Sequence, residues 1–322
     1  MSLQNLADAI RAFPGVTRKN KIHEVVDLLP TDGFDHVHVA AGEDAAALDI
    51  GDRYVLFATD GIMPSLLRSN PYLAGYFAVL VNVNDIAAMG GRAIGMVDVM
   101  SLIDGTVAPE LIRGLRDGVS KFGVPIVGGH THPDCDYDAI DIAVVGTVRK
   151  DALLRSDTAR PGDDIVFVID TVGYYPEDTP YAYVTTEGRS DDEVRAQLEA
   201  VAVIGERHLA HACKDMSNPG DIGTLGMMLE SSGVGAVVDV TRIPRPEGVD
   251  EVHWHLTYQG CGFCFACNPM CSQEIIDIFA AVGCEGAVVG KIDGSHVLRL
   301  TDGTDDVVLF DFDDEIITGI RN

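Results

Sequence analysis

The chain has 322 residues, with 23 Lys plus Arg against 50 Asp plus Glu, a formal charge of −27. Hydrophobic residues make up 47% of it, enough for a core in one large domain or two ordinary ones. Such acidity excludes nucleic acid and anionic membrane as main partners, because both repel a net anion, and favours a divalent cation.

No apolar stretch approaches the ~20 residues of a membrane span. The start, MSLQNLADAIRAF, lacks the apolar core of a secretion signal. The expectation is a cytoplasmic protein whose seven cysteines are reduced thiols or metal ligands rather than disulfides.

In chain order, residues 54–58 (YVLFA) predict a buried strand that leads into Thr59-Asp60-Gly61. Asn70-Pro71 reads as the N-cap and first-turn proline of a helix that runs to Met89 and stops at Gly90-Gly91. A strand is expected over 95–102. Periodicity through Leu111, Leu115 and Val119 gives a helix over 109–122, ended by Gly123. A short strand over 124–127 runs into Gly128-Gly129-His130-Thr131, and 140–148 alternates as a strand. A boundary near 150 divides the chain into domains 1–150 and 151–322. Pro161-Gly162 turns the chain into a strand over 165–169. A polar loop over 174–189 precedes Ser190-Asp191-Asp192-Glu193, a capping box opening a helix. Another helix ends near Ser231. Strands are expected over 233–240, 253–257, 262–266, 286–290 and 307–312, with a helix over 272–282.

Four segments put a carboxylate where the backbone turns sharply. They are Gly42-Glu43-Asp44-Ala45-Ala46, Thr59-Asp60-Gly61, Asn82-Val83-Asn84-Asp85 and Lys214-Asp215-Met216-Ser217. An aspartate beside glycine is most often only a turn former. Acids from several separate loops, however, suit Mg²⁺, which takes hard oxygen ligands and shares them with substrate phosphates. Asn82 and Asp85 are i and i+3 on an otherwise apolar helical face, so each needs a partner if buried. Glycines at 42, 90–91 and 128–129 permit close approach to phosphate and offer N–H donors. There is no P-loop: Gly286-Ala287-Val288-Val289-Gly290-Lys291 lacks a spacer and the Ser/Thr.

The ordered set GEDAA, TDG, NVNDIAAMGG, GVPIVGGHT, VVGTV, LLRSDTARPGD, KDMSNPGDIGTLG, SSGVGAVVDV and VVGKI spans about residues 40 to 292. It resembles the aminoimidazole ribonucleotide (AIR) synthetase-like, or PurM-like, superfamily, which includes thiamine-monophosphate kinase and selenophosphate synthetase. Within it the AIR synthase-related branch is the nearest. The resemblance implies an α+β fold of two domains. An N-terminal four-stranded sheet would pair with a second copy into a dimeric barrel. A C-terminal α/β layer domain would cover a cleft for ATP and Mg²⁺. Asp44 matches the second acid of the family's GDDAA segment, and Glu43 replaces the first. Asp60 matches the metal-binding acid after the strand, Asp85 the helix acid, and Asp215 the acid opening the second domain's loop. Asn218 stands where kinase-like members carry another aspartate. The resemblance puts Gly128, Gly129, His130 and Thr131 near nucleotide or acceptor, with His130 as the candidate catalytic group, and adds Asn82 to the cofactor set. Lys19 and Lys21 lie in a segment that folds over nucleotide in relatives, so one of them is expected on phosphate.

Cys261, Cys264, Cys267 and Cys271 have the spacing of an iron–sulfur ligand run. The opposing reading is a core strand over 262–266, whose alternation sends Cys261 and Cys264 to opposite faces. The pairs His36/His38, His253/His255 and, on a helix, His208/His211 read as satisfied surface or core groups. The acidic run 302–315 reads as a solvated hairpin or strand edge.

The reading is an ATP- and Mg²⁺-dependent enzyme that transfers phosphoryl to an oxygen of an unidentified small molecule. It would be a homodimer engaging neither nucleic acid nor membrane. Selenophosphate synthesis is disfavoured because no Cys precedes Cys135, and thiamine-phosphate kinase by Asn218-Pro219. The alternative is a non-catalytic nucleotide-binding maturation or assembly factor with a metal on the four cysteines.

Overall fold

The structure, a computed structural model, describes residues 2–26, 28–29 and 33–320. α1 (Leu3–Ala12), α2 (Pro14–Thr17), a 3₁₀ turn (Arg18–Lys21) and α3 (Ile22–Val26) open the chain. β1 (Val37–Val39), β2 (Ala46–Asp49), β3 (Arg53–Gly61), α4 (Pro64–Ser69) and α5 (Pro71–Ala88) follow. β4 (Arg92–Ser101), α6 (Ala108–Phe122), β5 (Ile126–His132) and β6 (Ala139–Arg149) complete the first half. The second half holds β7 (Asp164–Ile169), β8 (Ala182–Tyr183), α7 (Asp191–Glu206), β9 (Ala212–Asp215), α8 (Gly220–Ser232) and β10 (Gly235–Asp239). It continues with α9 (Glu251–His255), β11 (Tyr258–Gln259), β12 (Gly262–Cys267), α10 (Ser272–Ala280), β13 (Glu285–Asp293), β14 (Val297–Thr301) and β15 (Asp306–Asp311).

Two sheets carry the architecture. The first has the order β1-β2-β3-β6-β4-β5, antiparallel except for the β4–β5 pair. The second has the order β15-β14-β10-β13-β7-β12-β9, antiparallel except for β10–β14. The four expected strands of the first sheet are β3 to β6. β1 and β2 extend it to six, and at 3 and 4 residues they are too short to show an alternation in sequence.

α5 packs between the first sheet and α6. Its start follows from local chemistry: the Asn70 side chain accepts the Leu73 N–H at 3.1 Å, and Pro71 opens the first turn. α6 ends at Gly123, which is left-handed at φ 73°. The two helices meet backbone to backbone. A Cβ on Gly75 would stand 2.2 Å from the Leu111 carbonyl oxygen, and one on Gly114 would stand 1.9 Å from that of Tyr72.

The chain passes from the first sheet to the second between β6 and β7, and the cores cross that point: Leu6, Ala7 and Ile10 of α1 lie in the core of the second sheet, Val184 and Val194 lie in that of the first, and Ala87 and Ala88 of α5 pack with residues of β7 and β12. The capping box at Ser190/Glu193 is formed in both directions. Three local expectations are corrected. Residues 128–132 continue β5 instead of forming a loop, because they pair with β4 over Val97–Ser101. The segment 253–257 is not a strand, because Asp250 caps a helical turn by accepting the His253 N–H at 2.9 Å. His208 and His211 lie after the end of α7, with His208 at φ 54°. Two of the histidines find carboxylate partners: His211 reaches Asp163 at 2.9 Å and His255 reaches Asp221 at 3.0 Å.

The cysteine run also resolves. Cys261 and Cys267 face one core and Cys264 the other, so strand alternation divides the would-be ligands. The metal assigned to them in the maturation-factor reading has no common site there.

Gly114→Ala gains about 1 kcal/mol of helix propensity but must push α5 away from α6. We expect a net loss of about 1–3 kcal/mol in urea unfolding. Gly188→Ala, which meets no atom within 4 Å, is the near-neutral control. Equal stability of the two variants would refute this close packing.

Candidate functional site

A cavity of ≈ 640 Å³ opens where the two halves meet. Asp44 enters it from the turn before β2, Asp60 from the end of β3, Asp85 from α5 and Asp215 from the end of β9. Carboxylate oxygens of Asp44, Asp85 and Asp215 lie within 4.8 Å of one another. Among the described residues this is the one group of three or more His, Cys, Asp or Glu side chains gathered so tightly.

Backbone chemistry holds the acids in place. Fully buried Asn82 donates to the Ala78 carbonyl at 2.8 Å and accepts the Asp60 N–H at 3.1 Å. It therefore ties the end of β3 to α5 and does not line the cavity. Asn84 donates to the Gly260 carbonyl at 3.1 Å, joining α5 to the second half. Glu43 borders the cavity, but both its oxygens are engaged, by the N–H groups of Ser156 at 2.6 Å and Asp157 at 3.2 Å. It clamps the connection between the halves and stands apart from the gathered aspartates.

Lys214, on β9, sends its ammonium group into the cluster and pairs with Asp44 Oδ1; its side chain is only 10% exposed. Asp44 Oδ2 is buried with no hydrogen-bond partner. An unpartnered buried carboxylate oxygen costs free energy unless a ligand meets it.

Electrostatics follow from this crowding. Burial, reinforced by the Asp44 charge, pushes Asp215 up to about 7. Burial, only partly offset by the Ser156 N–H, pushes Glu43 to about 7 as well. Burial and then the charge of Asp215 hold Asp85 well above the usual carboxylate range, and burial raises Asp60. Burial lowers Lys19, and the neighbouring Lys214 adds to the effect. For Lys214 burial acts downward too, but Asp44 and Asp215 outweigh it and hold the ammonium form. An all-carboxylate donor set that cannot ionise together without a cation fits a hard divalent ion.

The rest of the cavity differs in character. Leu66, Phe77, Val81 and Tyr258 give it an apolar wall, with the Phe77 and Tyr258 rings 6.3 Å apart. Thr179 Oγ1, buried and without a partner, lies on the same cavity. Arg18 and Lys19 bring positive charge to the same cavity.

Of the predicted residues, the fold gathers Glu43, Asp44, Asp60, Asp85, Asp215, Lys19 and Asn218 around one cavity. Asn218 stands outside the tight cluster and packs on α2, where a Cβ at Gly15 would meet its Oδ1 at 2.9 Å. Lys21 is exposed and outside the cavity lining. Gly128, Gly129, His130 and Thr131 lie on β5, an exposed edge strand separated from β3 by β6 and β4. Within one chain they do not reach the aspartates, since three strand spacings are about 14 Å. Tyr258 and Thr179 lie in no quoted motif, and Lys214 opens one that gave it no role. For Lys214 the available signal was a lysine in the otherwise buried run Ala212-Cys213-Lys214-Asp215.

Residues 42–148 match the AIR synthase related protein N-terminal domain, and residues 177–303 match its C-terminal domain. An uncharacterized protein of Methanocaldococcus jannaschii is 44% identical over 99% of this chain and 100% of its own length. A selenide, water dikinase of Aeromonas salmonicida is 30% identical over 71% of this chain and 68% of its own. Among solved structures, T. maritima PurL complexed with ADP superposes with a TM-score of 0.79 at 19% identity, covering 98% of this chain; the chain spans 52% of that protein. The chain therefore belongs to the AIR synthase-related family, within the PurM-like superfamily.

Proposed function

We propose that this protein is an ATP- and Mg²⁺-dependent enzyme that transfers a phosphoryl group to an oxygen of a small molecule. The observation that carries the reading is the meeting of Asp44, Asp85 and Asp215, with one buried Asp44 oxygen left without a partner. Asp60 and Asn218 border the same cavity and would complete the ligand set. Mg²⁺ there would neutralise phosphate oxygens and hold them in line, the main demand of phosphoryl transfer. Lys19 and Arg18 would bind phosphate charge. The apolar wall with Phe77 and Tyr258 suits a flat heteroaromatic ring and excludes water from it. The kinship with a selenide, water dikinase and the likeness to a PurL that holds ADP support a nucleotide as the donor.

A homodimer belongs to the same reading. Phe57, Val97, Val99 and Val127 are exposed on the first sheet, while Leu56 and Met96 turn inward toward α5. An exposed apolar face of this kind marks an interface. A second copy covering it would form the barrel and bury the edge that carries Gly128, Gly129, His130 and Thr131. His130 serves the reaction only through that pairing.

The rival is a nucleotide-binding assembly factor without turnover. ADP release with Mg²⁺ and a panel of acceptors separates the two. We expect Mg²⁺-dependent turnover that falls at least about 10²-fold in Asp60→Asn and in Asp85→Asn. Binding of a non-hydrolysable ATP analogue with no turnover on any acceptor would favour the factor.

Stability should report the same acids. Asp215 and Glu43 hold protons in the folded chain that the unfolded chain releases near pH 4. Their contribution is full below that pH and is lost as pH rises through about 7. Without divalent ions, unfolding free energy should fall by a few kcal/mol (order of magnitude) between pH 5 and pH 8. Mg²⁺ should restore much of it at pH 8. A flat profile in denaturant melts, unaffected by Mg²⁺, would contradict the site.

A further inference from the structure

We propose that the Lys214 ammonium group is a resident cation of the aspartate cluster, occupying one cation position and competing with a divalent ion for Asp44. The inference rests on the metal-site reading above and adds a role for a residue to which the motifs assign none. Three observations carry it. Lys214 Nζ meets Asp44 Oδ1 inside the cavity, with both side chains almost fully removed from solvent, 10% and 5% exposed. The other Asp44 oxygen is buried and unpartnered, so Asp44 is only half satisfied by the lysine. Asp85 and Asp215 offer their oxygens within the same 4.8 Å without a hydrogen bond to Lys214.

Charge counting points the same way. Six carboxylates (Glu43, Asp44, Asp60, Asp85, Asp178 and Asp215) border the cavity against three cations (Arg18, Lys19 and Lys214), so acidic groups stay in excess after Lys214 is counted and leave room for one divalent ion beside it. The free chain then takes one such ion, mainly on Asp85 and Asp215, and Lys214 keeps a second from Asp44. A fixed ammonium group in place of a labile metal leaves Asp44 ordered before nucleotide arrives. It also links the two halves, since Asp44 precedes β2 and Lys214 lies on β9.

Mn²⁺ titration of the nucleotide-free protein, read by the EPR signal of free Mn²⁺, tests this. We expect one Mn²⁺ per chain for the wild type. Lys214→Met should bind a second Mn²⁺, or bind the first at least tenfold more tightly. Lys214→Arg should behave as wild type, and Asp44→Asn added to Lys214→Met should cancel the gain. Lys214→Gln replaces Lys214→Met if the latter does not fold. Equal Mn²⁺ binding by wild type and Lys214→Met, or two Mn²⁺ on the wild type, overturns the proposal and leaves the metal site standing. Mn²⁺ binding by neither chain overturns the metal site itself, and the proposal with it.

Discussion

Carboxylates buried faster than cations are supplied is the constraint around which this molecule is arranged. Burial raises both Asp85 and Asp215; the Asp215 charge adds to the effect on Asp85, and the Asp44 charge to that on Asp215. A fold can tolerate such a cluster only if the surrounding backbone is over-determined. The two sheets meet at this cluster, so the energetic cost and the junction of the halves fall in one place. The strain of unpaired charge is the reason the junction needs several independent ties.

Those ties are backbone hydrogen bonds to buried side chains. Glu43 spends both oxygens on Ser156 and Asp157, in the connection between the halves. Asn82 fixes Asp60 to α5. Glu230, 1% exposed, accepts the N–H groups of Ile317, Thr318 and Gly319 at 3.0, 2.8 and 3.2 Å. That holds the C-terminal segment where Thr318 and Ile320 border the cavity. His23 then donates its N–H to the Thr318 carbonyl at 3.3 Å, which steadies the segment carrying Lys19. Asn82 and Glu230 do not line the cavity, yet each sets the position of a group that does.

Legibility in sequence followed the range of the interaction. Asn70-Pro71, Gly123 and the Ser190/Glu193 box act within one turn, so the helices they bound were readable. The aspartates stood out because turn residues flank them. β1 and β2 were lost because three or four residues carry too little periodicity. Residues 128–132 looked like a loop because glycine pairs suggest turns, whereas pairing with β4 decides their state. The segment 253–257 alternated like a strand, and one aspartate cap overrode it. Lys214 was named without a role for a different reason: its meaning depends on Asp44, 170 positions away.

The overall charge now divides on a physical criterion. Most acids satisfy themselves locally. Asp302 accepts from Thr304 Oγ1 at 2.6 Å and from the N–H groups of Thr304 and Asp305, which holds it down to about 2. Asp239 caps the turn after β10 by accepting the Thr241 N–H at 3.0 Å, and Asp250 caps α9. Such carboxylates stay charged in water, complete a turn and ask for nothing further. Asp44, Asp85 and Asp215 do the reverse: they leave water and face one another, and Asp44 keeps a buried oxygen without a donor. Counting acids could only exclude anionic polymers as partners. Accounting for their hydrogen bonds separates the few that require a cation from the many that require only solvent, and it is the former that make an anionic nucleotide acceptable to so acidic a protein.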